Sequence, residues 1–347
     1  MPSVPTFQRF PHLAWIELIK NMGPAEVFET SLINSQLSDL IIYVCNLKAK
    51  VDIKIDKYET RITFRSSSNG RKSAFVFKRL PLGAYVTGVV RTFDGCVFRR
   101  CSRSKNSLVF MDGMDKVLDR LCRIFSIQIL GTVRIDDSYD YTFKKIKFSL
   151  NVISKLHNAC GNTPGNKTVC ENLSIDGYFN EEKCKWEDFL DGITATKSVK
   201  IYGSGEYIHP TMFSAKRVYL SQNQGYFSEF GYNAFEGVEC EEILMKDCIN
   251  YDGGLHSVVH MWLEGKIPNL KVVETEACDD DDGVEIWGLH SGLPLMEERS
   301  NLRKDEYVTE GTGRRIDCRD GKDVRRDDGK VATIVRKVEY FAFVVWN

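Results

Sequence analysis

Residues 10–44 read FPHLAWIELIKNMGPAEVFETSLINSQLSDLIIYV, and this stretch predicts three short helices. The first helix has apolar residues at i, i+3, i+4 and i+7, which share one helical face: Trp15, Leu18, Ile19 and Met22. Gly23-Pro24 ends this helix and begins the second, because proline suits the first helical position. The third helix repeats the first spacing at Leu37, Leu40, Ile41 and Val44.

A three-helix unit of this size leaves apolar surface uncovered, because small domains bury a low fraction of their surface. The helices therefore need either a partner chain or the rest of this protein to cover that surface.

The pattern of apolar residues in this stretch resembles an F-box. The matching positions are Pro11, Leu13, Trp15, Ile16, Leu18, Ile19, Met22, Pro24, Val27, Phe28, Leu32 and Ser35. The resemblance implies docking on a Skp-family adaptor and, through it, on a cullin-based ubiquitin ligase. The adaptor contacts that it implies are Pro11, Leu13, Ile16, Leu18, Ile19, Pro24, Val27 and Phe28. The chain departs from the family at Gln36 and Asp39, which are often basic, and at Gly23; the alternative is an ordinary helical cap on the following domain.

Composition and charge narrow the class of protein. The chain has 347 residues, of which 43% are hydrophobic and 27% charged, as in a soluble globular protein with two or three domains. Its net charge of −1 argues against a general nucleic-acid or membrane-surface binder. No apolar run reaches the roughly 18 residues of a membrane span. The N-terminus lacks a signal-peptide pattern, and the eleven cysteines include no CxxC pair, which predicts free thiols and a cytoplasmic or nuclear protein.

The middle of the chain alternates in the two-residue period of strands. Residues 51–55, 61–65 and 74–77 predict three strands, with turns at 66–70 and at Asp94-Gly95. This pattern predicts a β-rich connecting region over 48–112, built of hairpins. Residues 113–160 predict a helical and α/β connector, with amphipathic helices at 117–125 and 143–157 and a buried strand near 127–135 between them.

From about residue 170 the chain repeats itself. Five strand-like segments have apolar starts that are 26, 19, 25 and 27 residues apart: Leu173, Val199, Val218, Ile243 and Leu270. This period is typical of leucine-rich repeats and predicts parallel strands with helices on one side. Residues 161–347 are therefore predicted to form an irregular repeat-like α/β array; an ordinary α/β layer is the alternative. Lys200, Tyr202, Tyr219 and Lys271 are target-binding candidates by position alone, and packing explains the two tyrosines equally well.

The C-terminal tail has a different pattern. Turn signals at Asp320-Gly321 and Asp328-Gly329 separate three strand-like segments, which predicts an antiparallel cap on the sheet. The segments 242–246, 260–265 and 268–271, followed by DVRRDDGKVATI at 323–334 and Val345-Trp346, are similar to the F-box-associated domain of nematode F-box proteins. The order of these motifs matches that family and covers most of the chain.

The residues give no argument for catalysis, a cofactor or a metal site. The acidic run 279–282 places Cys278 and Leu289 at ligand positions of a calcium loop, where neither serves. His256 and His260 lack the glutamate of HExxH and a third ligand. The glycine-rich segments 203–205 and 311–314 match neither GxSxG nor a phosphate-binding loop.

Together these observations predict an α+β protein with an F-box at 5–47, the connecting regions at 48–112 and 113–160, and an F-box-associated repeat-like domain at 161–347. The predicted function is that of a non-catalytic substrate-recognition subunit of a Skp–cullin–F-box ubiquitin ligase. Its partners would be the adaptor and an unidentified protein target, with no nucleic acid and no membrane. A ligase-independent interaction scaffold is the alternative.

Overall fold

The computed structural model describes residues 11–56, 58–78, 90–100, 107–110, 113–137, 151–156, 158, 167–177, 190–202, 210–221, 239–246, 253–276, 293–337 and 340–346. The chain divides into two compact units. Unit 1 comprises residues 1–136 and 148–168, and unit 2 comprises 137–147 and 169–347. The predicted boundaries at 47 and 112 both fall inside unit 1.

The helices of unit 1 begin with the three predicted from the sequence. They are α1 (His12–Asn21), α2 (Pro24–Ser31) and α3 (Ser35–Asp39), and a π-helical turn, Leu40–Val44, continues α3. A fourth helix, α4 (Met114–Ile124), buries Val117, Leu118, Leu121 and Ile124. Residues 151–156 are also helical.

The strands of unit 1 are β1 (Leu47–Asp56), β2 (Glu59–Ser66), β3 (Lys72–Lys78), β4 (Val90–Phe93), β5 (Cys96–Arg100), β6 (Ser107–Phe110) and β7 (Phe125–Asp137). They lie in the order β7-β1-β2-β3-β6-β5-β4. The predicted hairpins β1–β2, β2–β3 and β4–β5 are antiparallel, but β7–β1 and β3–β6 are parallel. At the β4–β5 turn Asp94 and Gly95 have φ of 46° and 79°, a conformation that glycine and aspartate tolerate well.

Alternation along β1 gives this sheet two different faces. The residues on the buried face are Leu47, Ala49, Val51, Ile53 and Ile55. The residues between them are lysines and aspartates that remain partly or fully exposed. One face of the sheet is therefore core, and the other is charged.

The strands of unit 2 are β8 (Thr168–Gly177), β9 (Ile193–Tyr202), β10 (Arg217–Ser221), β11 (Glu242–Lys246), β12 (Val272–Glu276), β13 (Glu306–Val308), β14 (Arg315–Asp317), β15 (Lys322–Arg325), β16 (Val331–Arg336) and β17 (Tyr340–Trp346). Apart from the separate β13–β14 hairpin, they lie in the order β15-β16-β17-β12-β11-β10-β9-β8. The strands β9 to β12 pair in parallel, and β17, β16 and β15 follow as the predicted antiparallel cap.

The register matches two of the four predicted spacings. Val199 lies opposite Val218, and Val218 lies opposite Ile243. The last predicted start is wrong, because Ile243 pairs with Val273 and not with Leu270. Leu270 is buried at 2% exposure but lies in the turn that precedes β12. The prediction therefore placed this strand three residues too early, because Leu270 is a buried apolar residue outside the strand.

Helical segments cover one face of the unit 2 sheet. The helix Gly253–Leu263 buries Val258, Val259, Met261 and Trp262, and the Trp262 ring contacts the edge of Phe343 at 5.4 Å. Phe343 lies opposite Val273 in the register, so the helix packs on the face that carries the apolar residues of the repeats. The mixed α/β content is as predicted.

Candidate protein-binding interface

The start of α2 is fixed by a hydrogen bond from the backbone of Gly23 to the side chain of Glu26. Pro24 occupies the first helical position, and the Glu26 carboxylate accepts a hydrogen bond from the Gly23 N–H at 2.8 Å. This contact satisfies a backbone donor that the helix itself leaves unpaired. Glycine at this position does not prevent the cap, because the acceptor comes from Glu26.

Phe28 anchors α2 to the sheet of unit 1. Its side chain is completely buried, and its ring lies 5.5 Å from Phe75, 5.8 Å from Phe93, 6.1 Å from Phe98 and 5.9 Å from Phe110. All four contacts are edge-to-face, an arrangement that aromatic rings favour. The helices and the following β region therefore share one core.

The β2–β3 turn holds the end of α1. The Asn69 side-chain amide donates to the carbonyl oxygens of Lys20 at 2.9 Å and Met22 at 3.1 Å. The Ser68 hydroxyl also donates to the Lys20 carbonyl, at 3.2 Å. Helix-terminal carbonyls need such donors because they have no partner within the helix.

Arg120 of α4 forms hydrogen bonds to α2 and α3. Its guanidinium donates to the Ser31 carbonyl at 2.9 Å and to the Ser38 hydroxyl at 2.6 Å. Burial lowers the pKa of Arg120 from its ordinary value. The three helices are thus held to unit 1 by an aromatic core and by hydrogen bonds at two separate places.

The eight predicted adaptor contacts fall into two groups. Ile19, Pro24, Val27 and Phe28 are buried against their own chain, so in this structure they offer no surface to an adaptor. Of these four, only Ile19 belongs to an apolar stripe predicted from the sequence, and all four pack on the chain's own core.

The other four predicted contacts reach solvent. Leu13 is 76% exposed and Leu18 is 47% exposed, while Pro11 is exposed and Ile16 is partly exposed. Leu18 therefore does not belong to the buried stripe of α1, which consists of Trp15 and Ile19 with Met22 partly buried.

Two further apolar side chains of this helical unit are exposed, and the sequence reasoning missed both. Ile33 follows α2 and is 58% exposed, and Tyr43 in the π-helical turn is 80% exposed. Tyr43 falls between Ile41 and Val44 of the predicted stripe, and that offset is the signal that would have identified it as an outward residue.

The second candidate surface is the face of the unit 2 sheet opposite the Gly253–Leu263 helix. Lys200 and Tyr219 lie side by side in the register, and Tyr202 lies opposite Ser221. The Lys200 ammonium lies 4.7 Å from the centre of the Tyr219 ring, within cation–π range. The structure therefore brings together three of the four positional candidates, and Tyr202 is 42% exposed.

The β13–β14 hairpin covers the neighbouring part of this face. The buried Glu242 carboxylate accepts hydrogen bonds from the backbone N–H groups of Glu310, at 2.6 Å, and Gly311, at 3.0 Å. A Cβ atom at Gly311 would lie 1.7 Å from the Tyr219 hydroxyl, so a larger residue would have to displace the Tyr219 side chain. The segment 311–314 is thus a turn, as predicted.

Lys271, the fourth candidate, lies before β12 and is held by acids. Its ammonium lies 2.9 Å from Glu241 and 3.1 Å from Glu310, and Arg217 lies 2.9 Å from Glu310. Hydrogen bonding to Glu241 and Glu310 raises the pKa of Lys271. The same hydrogen bonds lower the pKa values of Glu241 and Glu310 below 4.5. Lys271 therefore joins the hairpin to the sheet, and its charge is already engaged by Glu241 and Glu310.

These lowered pKa values predict loss of stability in acid. A carboxylate whose pKa is depressed by folding stabilises the folded state above its unfolded pKa, near 4.5, and loses this contribution as the pH falls through the folded pKa. We expect the melting temperature to decrease once the pH is lower than about 4.5. The decrease should be less steep in Lys271→Met. Thermal melts from pH 7 to pH 3 test this, with Lys322→Met as the control. Parallel curves for the original chain and Lys271→Met would contradict the assignment.

The tail motif at 323–334 has a structural role. Arg326 is buried, lies 5.0 Å from the centre of the Trp262 ring and donates to the Trp262 carbonyl at 3.1 Å. The carboxylate of Asp328, across the turn, pairs with the same guanidinium. Arg326 thus joins the cap to the helix, and Asp328 balances its charge.

A shallow groove of about 410 Å³ lies at the end where the parallel strands begin. Its lining residues include Thr194, Thr196, Ser214 and the Lys216–Glu241 ion pair, which is 3.4 Å long. Within the described ranges, no three His, Cys, Asp or Glu side chains are grouped as metal ligands. His260 lies on the Gly253–Leu263 helix, and the side chain of His256, the acidic run 279–282 and the segment 203–205 lie outside the described residues.

None of the described helices has the length and apolar composition that a bilayer crossing requires. In comparison with known proteins, the chain matches no family model, no curated protein and no solved structure.

Proposed function

We propose that this chain is a non-catalytic substrate receptor of a Skp–cullin–F-box ubiquitin ligase, with an F-box at its N-terminus and a repeat-like domain in unit 2. The observation that carries the proposal is the two-sided character of the N-terminal helices. Trp15, Ile19 and Phe28 are buried in the chain's own core, whereas Leu13 and Leu18 remain exposed. An adaptor that covered these outward residues would bury apolar surface worth about 25 cal/mol per Å².

The exposed face of the unit 2 sheet supports the receptor half of the proposal. Lys200, Tyr202 and Tyr219 form a polar and aromatic surface on strands that the β13–β14 hairpin leaves partly uncovered. Tyrosine is enriched in protein interfaces because it combines apolar area with a hydrogen-bonding group. The target would bind there while the adaptor holds α1.

Adaptor binding is tested by substitution of the outward residues. We expect Leu13→Asp with Leu18→Asp to weaken binding to a purified Skp-family adaptor by at least about 30-fold, because both charges would have to be desolvated in an apolar contact. The matched control is Leu302→Asp with Val308→Asp, two apolar residues of unit 2 that are 45% and 49% exposed. Calorimetry measures the affinity, and melting curves verify the fold.

Equal binding by both double variants would overturn the adaptor proposal. Deletion of residues 1–47 is not a clean test, since it removes Phe28 from the aromatic core and would damage unit 1.

The second candidate function is a ligase-independent scaffold whose helices act only as a structural cap. The specific observation in its favour is the burial of Ile19, Pro24, Val27 and Phe28, together with the Arg120 contacts to Ser31 and Ser38. A well-folded chain that does not bind the adaptor at all would favour this function.

A further inference from the structure

The charged face of the unit 1 sheet carries a row of three basic residues. Lys50 of β1 lies directly opposite Arg65 of β2, and Arg65 lies directly opposite Lys72 of β3. Neighbouring strands are about 4.8 Å apart, so three positive charges are attached within about 10 Å of backbone. Like charges in directly opposite positions destabilise a sheet. The row therefore concentrates positive charge at one place on the sheet.

The charges of Arg65 and Lys72 are not neutralised by nearby acids. Within the part of unit 1 that the structure describes, neither side chain has an acidic partner. Lys72 is exposed, Arg65 is partly exposed, and Lys48, which is also exposed, lies two residues before Lys50 on the same face.

In two ion pairs on this face the basic side chain is more exposed than the acidic one. Lys54 is paired with Asp136 at 2.9 Å, but its side chain is 41% exposed and that of Asp136 only 19%. Arg61 is 48% exposed and its partner Glu59 is 19% exposed. The acids of these two pairs are thus less exposed than their bases. Asp52, which lies between Lys50 and Lys54 on this face, accepts a hydrogen bond from the Thr132 N–H at 2.8 Å.

The row and the helices lie on opposite faces of the sheet. Phe75 of β3 contacts Phe28 on the buried face, whereas Lys72 lies an odd number of positions from Phe75 along the same strand. Side chains alternate between faces along a strand. A partner on the basic face would leave α1 accessible, so this surface is independent of adaptor binding.

We propose that the row Lys50–Arg65–Lys72 is a docking surface for an acidic segment of a protein partner. The charge of the row gives the complementarity, and its extent suits three or four acidic residues in extended conformation. At the described positions of this face on β1, β2 and β3 no side chain is aromatic, so the stacking platform typical of single-stranded nucleic-acid binders is missing there. This proposal goes beyond the receptor function, because it neither needs nor involves the adaptor.

A labelled hexaglutamate peptide tests the proposal with the full chain. We expect the peptide to bind, and Arg65→Gln with Lys72→Gln to weaken binding by about tenfold. The matched control, Lys322→Gln with Arg325→Gln, removes the same two residue types from exposed positions of β15 and should leave the affinity unchanged within about twofold. Fluorescence anisotropy measures the affinities, at low and at high salt, and melting curves verify the fold.

The outcomes separate clearly. Weaker binding in the row variant alone, with an affinity that falls as salt is added, supports the surface. An equal loss in both double variants, or no binding of the peptide to the original chain, overturns it. Tighter binding of a hexauridylate than of hexaglutamate also overturns it, because the surface would then belong to a nucleic acid.

Discussion

Replacement of Phe28 by alanine is expected to lower the free energy of unfolding of unit 1 by about 3–5 kcal/mol. The ring is fully buried among Phe75, Phe93, Phe98 and Phe110, so its removal leaves a cavity that four rigid rings cannot easily fill. The loss would reach beyond α2, because these rings belong to strands β3, β4, β5 and β6.

Hydrogen exchange measured peptide by peptide is the suitable readout, since a chain of two units need not unfold in one step. We expect protection to fall in β3 and β6 and to stay unchanged in β16. Leu18→Ala on α1 is the control, because Leu18 is 47% exposed and its truncation should cost less than about 0.5 kcal/mol. Unchanged protection in β3 after Phe28→Ala would mean that the helices fold independently of the sheet.

The second large effect is expected in the antiparallel cap of unit 2. The Asp323 carboxylate is buried and accepts hydrogen bonds from the Ser300 N–H at 2.7 Å, the Thr333 hydroxyl at 2.6 Å and the Arg303 guanidinium at 3.3 Å. Thr333 also accepts a bond from the Trp346 indole N–H at 2.6 Å. A continuous chain of hydrogen bonds therefore joins the last strand to Asp323.

Asp323→Ala should lower the stability by about 3–5 kcal/mol, because it leaves a buried guanidinium without its anion and two further buried donors without acceptors. Asp323→Asn should cost less, since an amide oxygen still accepts one bond. Asp320→Ala is the control, because its side chain is 80% exposed and pairs with Lys337 at the surface. Urea unfolding gives the free energies, and near-ultraviolet circular dichroism reports the packing of Trp346. A cost for Asp323→Ala no greater than for Asp320→Ala would exclude this role for the network.

Local signals in the sequence were sufficient to predict most of the elements. The turn at Asp328-Gly329 lies between β15 and β16, and the alternation at 51–55 lies within β1. The repeat spacings also predicted the pairing of Val199 with Val218 and of Val218 with Ile243. These features depend on residues close together in the chain, or on a period that parallel strands must share.

Features that depend on distant residues were not predictable. The parallel pairing of β7 with β1 joins segments separated by two hairpins and a helix, and no local pattern specifies it. The sequence predicted Phe28 as an adaptor contact, and no local pattern indicated a core made of Phe28 with Phe75, Phe98 and Phe110. The basic row was equally hidden, because Lys50, Arg65 and Lys72 become neighbours only through the register.

The hydrogen bonds from Asn69 to the end of α1 have a mechanical consequence. Because the β2–β3 turn holds the Lys20 and Met22 carbonyls directly, α1 cannot swing about its C-terminus without breaking them. A body clamped to α1 would lose its rotational freedom relative to β2 and β3. The connection would therefore be rigid. It would fix the orientation of the unit 1 sheet relative to the bound body, whereas a flexible connection would limit only the distance between them.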